Sequence, residues 1–132
     1  ARPVERLAQN LYISAPYLSQ VAALAAFDAV EEVEAVRAGY AANRALLLDA
    51  FPGLGLGRTH PADGAFYLYA DVSNLTNDSV AFCRRMLDEA GVAATPGLDF
   101  DAQDGAHHVR FSFAGSNADC VDAVRRLKAW RR

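Results

Sequence analysis

A single arginine, Arg110, lies in the middle of the run HHVRFSFAGSNADC (107–120), which otherwise has the composition of a half-buried strand. Val109 and Phe111 alternate with it, so the period of two predicts apolar side chains on one face and the arginine on the other. A strand is a rigid support, and a guanidinium offers two parallel N–H donors that match a carboxylate or a phosphate. Arg110 is therefore a candidate receptor for an anionic ligand.

The same arginine also has a structural interpretation. Most charged side chains on half-exposed strands face solvent or pair with a charge of their own domain. Asp71, on a neighbouring predicted strand, is one candidate partner for Arg110. Residue types and spacing alone leave both interpretations open.

Other combinations of polar residues do not predict a metal or nucleophile site. The run DFDAQDG (99–105) has carboxylates spaced as in a calcium loop, but Asp104 stands where the loop needs glycine and Arg110 where it needs a bidentate glutamate. His107 and His108 are neighbours, so on a strand they are expected to point to opposite faces and not to share a metal. The serines lack the context of an activated nucleophile. We therefore expect no metal ligand and no catalytic residue in this chain.

The elements that must position Arg110 follow from apolar periodicity and from the turn residues between segments. In chain order the sequence predicts helices over 4–13, 17–29 and 31–51, strands over 54–60 and 64–72, a helix over 79–91, strands over 92–97 and 107–114, and a helix that follows Ser116 and includes 120–130. This order indicates an α+β fold, a two-layer α/β sandwich with a small, largely antiparallel four-stranded sheet covered by helices.

Domain organisation follows from the same pattern. We expect a single domain over 1–132, in which 31–132 form the α/β sandwich. Segment 1–30 is so rich in alanine and leucine that we expect it to contact another domain or another subunit.

Composition excludes several classes of function. The formal net charge is −3 and 52% of the residues are hydrophobic, which fits a globular domain and lacks the basic field of a nucleic-acid binder. The basic end RRLKAWRR (125–132) is expected to be a solvated helix face. No apolar run is long enough to cross a bilayer, and the first residues do not resemble a secretory signal. We therefore expect a cytoplasmic protein that binds neither nucleic acid nor membranes.

The single lysine and the two cysteines limit the chemistry that this chain can perform. Lys128 is the only lysine, and it lies among the arginines of the last predicted helix, where it is expected to face solvent. Chemistry that needs a buried, nucleophilic lysine cannot be completed by this chain alone. Cys83 and Cys120 have no metal-ligand or redox spacing, so we expect buried free thiols.

Four motifs in order, SAPYLSQVAALAA, PADGAFYLYADVS, GVAATPGLDF and HHVRFSFA, resemble the C-terminal part of the class I and II aminotransferases, pyridoxal-phosphate enzymes of fold type I. The resemblance implies that Arg110 binds the α-carboxylate of the substrate. It also implies that the strand containing Phe66 lines the small domain, where Phe66 is a candidate substrate contact, and that the turn with Pro96, Gly97 and Phe100 borders the site.

The resemblance further implies what this chain lacks. The Schiff-base lysine and the groups that hold the cofactor belong, in that family, to a large domain that precedes the segment seen here. We therefore expect pyridoxal 5'-phosphate in a full-length homodimeric parent enzyme. The isolated chain is expected to have no cofactor-binding residues, no bound cofactor and no activity.

The reaction and the substrate stay open at this stage. The leading hypothesis is transfer of an amino group between an amino acid and a 2-oxo acid. A lyase, decarboxylase or acyl-condensing synthase of the same fold is one alternative, and a non-catalytic amino-acid-binding or interaction module is another. In some relatives an arginine before the SAP-like break binds a distal carboxylate; Asn10 and Tyr12 lie there in this chain, are further candidate substrate contacts, and favour a neutral substrate.

Overall fold

The computed structural model describes residues 1–56 and 58–130. The helices are α1 (Arg2–Leu11), α2 (Tyr17–Ala26), α3 (Val30–Ala50), α4 (Ser79–Ala90) and α5 (Asn117–Trp130), and the strands are β1 (Tyr67–Asp71), β2 (Thr95–Pro96) and β3 (His108–Ser112). Single 3-10 turns occupy Pro52–Leu54, Gly97–Asp99 and Gly105–His107. The chain forms two compact units, Ala1–Val36 and Arg37–Arg132.

The second unit contains a three-stranded antiparallel sheet with the order β1-β3-β2. Leu68 pairs with Phe111 and Tyr69 pairs with Arg110 in the register of β1 against β3. Buried and partly accessible residues alternate along both strands, as the period of two requires. One face of the sheet is therefore core, and the other face presents Arg110.

The predicted α+β class is confirmed, but the prediction of four strands is wrong. The segment predicted as a strand over 54–60 makes a single isolated bridge, between Thr59 and Ala70. Gly55 adopts a left-handed conformation at φ 78°, which extended pairing does not allow. Among the described residues only the end of the segment therefore reaches β1, where the His60 N–H donates to the Tyr69 carbonyl oxygen at 3.0 Å and the Asp71 N–H to that of Arg58 at 2.9 Å. Gly57, inside this predicted strand, lies outside the described residues.

Helices α3, α4 and α5 supply the second layer. Their apolar side chains join those of the buried sheet face in one cluster, which includes Leu47, Phe51, Leu68, Phe82, Met86, Val109, Phe111, Val124 and Leu127. Helix α4 begins at the N-cap Asp78, whose side chain accepts a hydrogen bond from the Ala81 N–H at 2.9 Å. It ends at Gly91, which is left-handed at φ 65°. The predicted helical cover of the sheet thus lies on its apolar face.

A buried asparagine joins α3 to the segment that leaves the sheet. Asn43 is 1% exposed, and its amide nitrogen donates to the carbonyl oxygens of Phe113 at 3.2 Å and Gly115 at 3.0 Å. Its side-chain oxygen accepts a hydrogen bond from Asn117 at 3.0 Å. These bonds satisfy polar groups that burial would otherwise leave without partners. They fix the path of the chain from β3 into α5.

The first unit differs from the second in burial, because its helices α1 and α2 contain no buried residue. Its exposed large apolar side chains include Val4, Leu7, Leu11, Ile13, Tyr17, Leu18, Val21, Leu24 and Phe27. No helix within residues 1–56 and 58–130 combines the length and the apolar character needed to cross a membrane.

The cysteines and the lysine singled out from the sequence lie on helices α4 and α5. Cys83 and Cys120 are buried free thiols, as predicted, and burial raises the pKa of the Cys83 thiol to about 11. Lys128 is exposed on α5. Arg131 and Arg132, at the end of the predicted basic face, lie outside the described residues.

Candidate functional site

Arg110 is held on β3 between two aromatic rings. Its guanidinium carbon lies 4.7 Å from the ring centre of Phe100 and 5.2 Å from that of Tyr67, which are cation–π distances. One terminal nitrogen donates a long hydrogen bond of 3.4 Å to the Thr95 hydroxyl on β2. The Nε is buried and has no hydrogen-bond partner among the described residues. The rings therefore hold the guanidinium while leaving most of its donors available.

The proposed ion pair of Arg110 with Asp71 is wrong. Asp71 forms an ion pair with Arg58 and also accepts a hydrogen bond from the Ser73 N–H at 2.8 Å. Hydrogen bonding from Ser73, together with the charge of Arg58, lowers the pKa of the Asp71 carboxyl below its usual range. Within the described ranges no carboxylate lies in ion-pair distance of Arg110. Asp71, the candidate partner in the structural interpretation of Arg110, is therefore paired with another arginine.

Arg110 lines a cavity of about 460 Å³ within the second unit. Small or apolar residues from the segment before β1 form part of the lining, namely Pro61, Ala62, Gly64 and Ala65. The rings of Tyr67, Tyr69, Phe100 and His60, and the carboxylate residue Asp101, complete it. The volume and the single arginine suit a small organic anion.

A stack of rings lies beside the arginine. Tyr69 and His108 are parallel, with ring centres 4.8 Å apart and planes 5° apart, and His60 lies 5.6 Å from His108. The Tyr69 hydroxyl is buried without a hydrogen-bond partner in the described part of the chain. Burial, reinforced by the charges of Asp101 and Asp104, raises the pKa of this hydroxyl, so it stays protonated at neutral pH. Tyr69, which pairs with Arg110 in the strand register, thus carries a protonated hydroxyl for which the described residues provide no acceptor.

Two glycines fix the turn that carries Phe100 to the cavity. A Cβ on Gly97 would lie 2.5 Å from the Gly105 carbonyl oxygen, 2.6 Å from the Tyr69 hydroxyl and 2.7 Å from the His108 carbonyl oxygen. A Cβ on Gly105 would be equally close to the backbone of Gly97. Only glycine permits this approach of the two 3-10 turns, because no other residue lacks a Cβ.

The expectation that His107 and His108 point to opposite faces is wrong. His107 ends the 3-10 turn Gly105–His107, so the strand rule does not apply to it. Both Nδ1 atoms approach the Asp104 carboxylate, His107 at 3.0 Å and His108 at 3.5 Å. The described residues nevertheless contain no group of three or more histidine, cysteine or acidic side chains placed to hold a metal.

A second cavity, of about 420 Å³, lies between α5 and the edge of β3. It also contains an arginine, Arg126, but the Nε of this residue donates to Asp122 at 2.5 Å. This pairing satisfies the charge of Arg126 within its own helix. We therefore take the cavity at Arg110 as the candidate site.

The other predicted contacts lie elsewhere. Phe66 is 48% exposed and packs edge-on against Tyr67, but it does not line the Arg110 cavity. Asn10 and Tyr12 belong to the first unit, where both are exposed and the Asn10 amide donates to the Arg6 carbonyl oxygen at 2.6 Å. Arg110 belongs to the second unit.

Sequence reasoning missed Tyr69, His60 and Asp101 as lining residues. For Tyr69 a signal existed, because Tyr67 and Tyr69 alternate on one face of a predicted strand. For His60 and Asp101 no local pattern points to the cavity, since the pairing of strands brings them there.

The residues described do not fit the cofactor that the resemblance implies. Pyridoxal phosphate is bound by these enzymes through a lysine, and the only lysine here, Lys128, is exposed on α5 and does not line the Arg110 cavity. The arrangement can bind an anion at Arg110. It cannot supply the covalent attachment.

Comparisons with known proteins agree on one family. The model of the family described as aminotransferase class I and II matches residues 2–127. The valine–pyruvate aminotransferase of Mycobacterium tuberculosis is 49% identical over 131 residues, which cover 98% of this chain and 34% of that protein.

Solved structures give the same result. A crystal structure of a protein from Silicibacter pomeroyi matches with a TM-score of 0.90 and 54% identity over 98% of this chain and 35% of that one. An aminotransferase from Mycobacterium tuberculosis matches with a TM-score of 0.88 and 49% identity, covering 98% of this chain and 34% of that one. The chain thus spans about a third of the length of these relatives.

Proposed function

Because the chain belongs to the class I and II aminotransferases, we propose that it is the substrate-binding C-terminal domain of an enzyme that transfers an amino group between an amino acid and a 2-oxo acid. One observation carries the proposal. The Arg110 guanidinium lines a cavity between two aromatic rings and has no carboxylate partner in the described ranges.

Arg110 is proposed to bind the α-carboxylate that amino acids and 2-oxo acids share. Its two parallel N–H donors match the two carboxylate oxygens, and β3 fixes their direction. The rings of Tyr67 and Phe100 restrict the guanidinium without consuming its donors. The same contact therefore serves both half-reactions, in which the carboxylate is unchanged.

Pyridoxal phosphate is proposed to be bound outside this chain, in an N-terminal large domain of the intact enzyme, and it supplies the amino-group chemistry. A homodimer and a cytoplasmic location belong to the same proposal. The valine–pyruvate activity in the name of the Mycobacterium tuberculosis relative supports a neutral amino acid as one substrate.

The experiment that tests the proposal compares this chain alone with the intact enzyme. The intact enzyme is expected to convert an amino acid and a 2-oxo acid into the exchanged pair, while the chain alone is expected to be inactive. Loss of carbon dioxide or of a β-substituent, without amino transfer, would contradict the proposal and favour a lyase or decarboxylase.

The chain alone is expected to capture no cofactor at a specific residue. Incubation with pyridoxal phosphate, borohydride reduction and peptide mapping should show only the slow, substoichiometric labelling of an exposed amine, because Lys128 is solvated. A Lys128→Arg variant, matched in charge, should show the same labelling at the N-terminal amine. Stoichiometric labelling of Lys128 at equimolar cofactor would contradict the assignment of the cofactor site to another domain.

Residues 1–30 are proposed to form the contact with the other domain or the other subunit. Large apolar side chains of α2 are exposed, Tyr17 at 82%, Val21 at 47% and Leu24 at 73%. These three lie at helical spacing on one face. Exposure of such an apolar face to water is unfavourable in free energy, and a face of this kind is typical of an interface between proteins or domains.

The chain alone is therefore expected to bind a hydrophobic dye and to self-associate in light scattering. A Val21→Gln/Leu24→Gln variant should lower both signals. The control is Val80→Gln/Val121→Gln, which removes two exposed apolar side chains from α4 and α5; these are 50% and 49% exposed, compared with 47% and 73% for Val21 and Leu24. Equal dye binding and equal light scattering of the two double variants would contradict the placement of this interface on α2.

A further inference from the structure

The cavity at Arg110 holds one fixed negative charge. Asp101 is the only carboxylate residue among the described residues that line it, and Arg110 is the only arginine or lysine. The two groups are not within ion-pair distance of each other. The lining therefore contains one cationic and one anionic residue that are not paired with each other.

Local structure keeps Asp101 in place and ionised. Its Oδ1 accepts a hydrogen bond from the Gln103 N–H at 2.8 Å. Backbone hydrogen bonds from Gln103 and Asp104, with a smaller contribution from the charge of His108, lower the pKa of the Asp101 carboxyl. The backbone of Asp101 also donates to the Gly97 carbonyl oxygen at 2.9 Å, which ties it to the turn beside Phe100.

Apart from Arg110 and His60, the described residues of the lining include no side chain that can carry a positive charge. Pro61, Ala62, Gly64 and Ala65 carry no polar side-chain atoms, and Phe100 is apolar. His60, Tyr67 and Tyr69 are the other polar residues of the lining, and the Tyr69 hydroxyl is kept protonated as described above.

Resting on the proposed function, we propose that Asp101 determines the substrate class: it disfavours amino acids and 2-oxo acids with a second carboxylate and leaves neutral side chains unaffected. A substrate anchored by its α-carboxylate at Arg110 extends its side chain into a cavity of about 460 Å³ that also contains Asp101. A second carboxylate there is repelled by the like charge of Asp101, and water screens this interaction only partly inside a cavity.

The test compares aspartate with asparagine, two substrates of the same shape that differ in one charge. In the intact enzyme at pH 8, Asp101→Asn is expected to raise the ratio of kcat/KM for aspartate to that for asparagine about ten-fold. The replacement keeps the shape of the side chain and the oxygen that accepts from Gln103, so the ratio reports the loss of the charge.

The matched control is Asp99→Asn, which removes a charge from the adjacent 3-10 turn at an exposed residue that does not line the cavity. It should leave the ratio unchanged. An unchanged ratio in Asp101→Asn, with transfer intact, would overturn this inference and leave the proposed function standing. Absence of transfer in the unmodified enzyme would overturn the proposed function itself.

A measurement on the unmodified enzyme covers the case in which the variant does not fold. Raising the ionic strength should increase the aspartate-to-asparagine ratio, since salt screens repulsion between Asp101 and the second carboxylate. The attraction at Arg110 is common to both substrates and cancels from the ratio. A ratio that does not change or that falls with salt contradicts the inference.

Discussion

Replacement of Arg110 by alanine in the intact enzyme is expected to lower kcat/KM for an amino acid by about 100- to 10,000-fold. A charge-assisted hydrogen bond contributes about 1.5–3 kcal/mol, and the bidentate contact consists of two. For the corresponding amine, which lacks the carboxylate, the rate should hardly change. The preference for the amino acid over the amine should therefore collapse.

Arg110→Lys separates the charge from the geometry. Lysine keeps the positive charge but loses the planar fork, so the preference should fall by an intermediate factor. Both variants should keep most of their stability, because the described residues provide Arg110 with aromatic contacts and one long hydrogen bond and no ion pair. Loss of those contacts costs about 1–2 kcal/mol.

Thermal unfolding and half-reaction rates of the two variants measure these effects. Arg58→Lys is the matched control, because it replaces another arginine whose partner, Asp71, belongs to the same sheet. It should leave the preference for the amino acid intact. If Arg110→Ala instead lost several kcal/mol of stability while the preference survived, Arg110 would be structural and the assignment of the site would be wrong.

Gly97→Ala is expected to destabilise the chain by about 3 kcal/mol. The new Cβ would overlap two carbonyl oxygens, of Gly105 and His108, at 2.5 and 2.7 Å, and neither belongs to a flexible side chain. The overlap with the Tyr69 hydroxyl at 2.6 Å adds to the effect. Relief of the overlap requires the two 3-10 turns to separate, which also displaces Phe100 from Arg110.

Denaturant unfolding of the 132-residue chain measures this loss. The control is Gly53→Ala, because a Cβ at Gly53 has no atom within 4 Å, and its effect should stay within about 0.5 kcal/mol. In the background of Tyr69→Phe, Gly97→Ala should recover only part of the stability, since both carbonyl oxygens remain. Equal stability of the two alanine variants would show that the turns can separate without cost.

Local patterns predicted much of this fold. The alternation around Arg110 predicted β3 and its two faces, and the apolar spacing and terminal glycine predicted α4 almost to its observed bounds. The predicted strand over 54–60 failed in its first part, where Leu54 ends a 3-10 turn and Gly55 is left-handed, and among its described residues only the end forms backbone hydrogen bonds with β1. A strand propensity averaged over a segment does not reveal the backbone conformation of one residue such as Gly55.

The candidate site was predicted less completely than the fold. Arg110 could be identified from its strand, and Phe100 from the resemblance. Tyr69 is opposite Arg110 only because of the register between β1 and β3, and that register depends on packing between segments about forty residues apart. Asp101 and His60 reach the same cavity from two further loops, so no short stretch of sequence contains the site.

The alternation along β3 has a consequence for how such a domain can change over time. Val109 and Phe111 meet the core, whereas His108, Arg110 and Ser112 meet the opposite face. Of the five residues of β3 only Arg110 lines the candidate cavity, so a change there is expected to alter binding more than the packing of the helices, whereas a change at Val109 or Phe111 is expected to alter the core. Selection can therefore act on specificity and on stability through separate residues of one five-residue strand. One scaffold of this kind can accommodate new substrates without first having to acquire a reserve of stability.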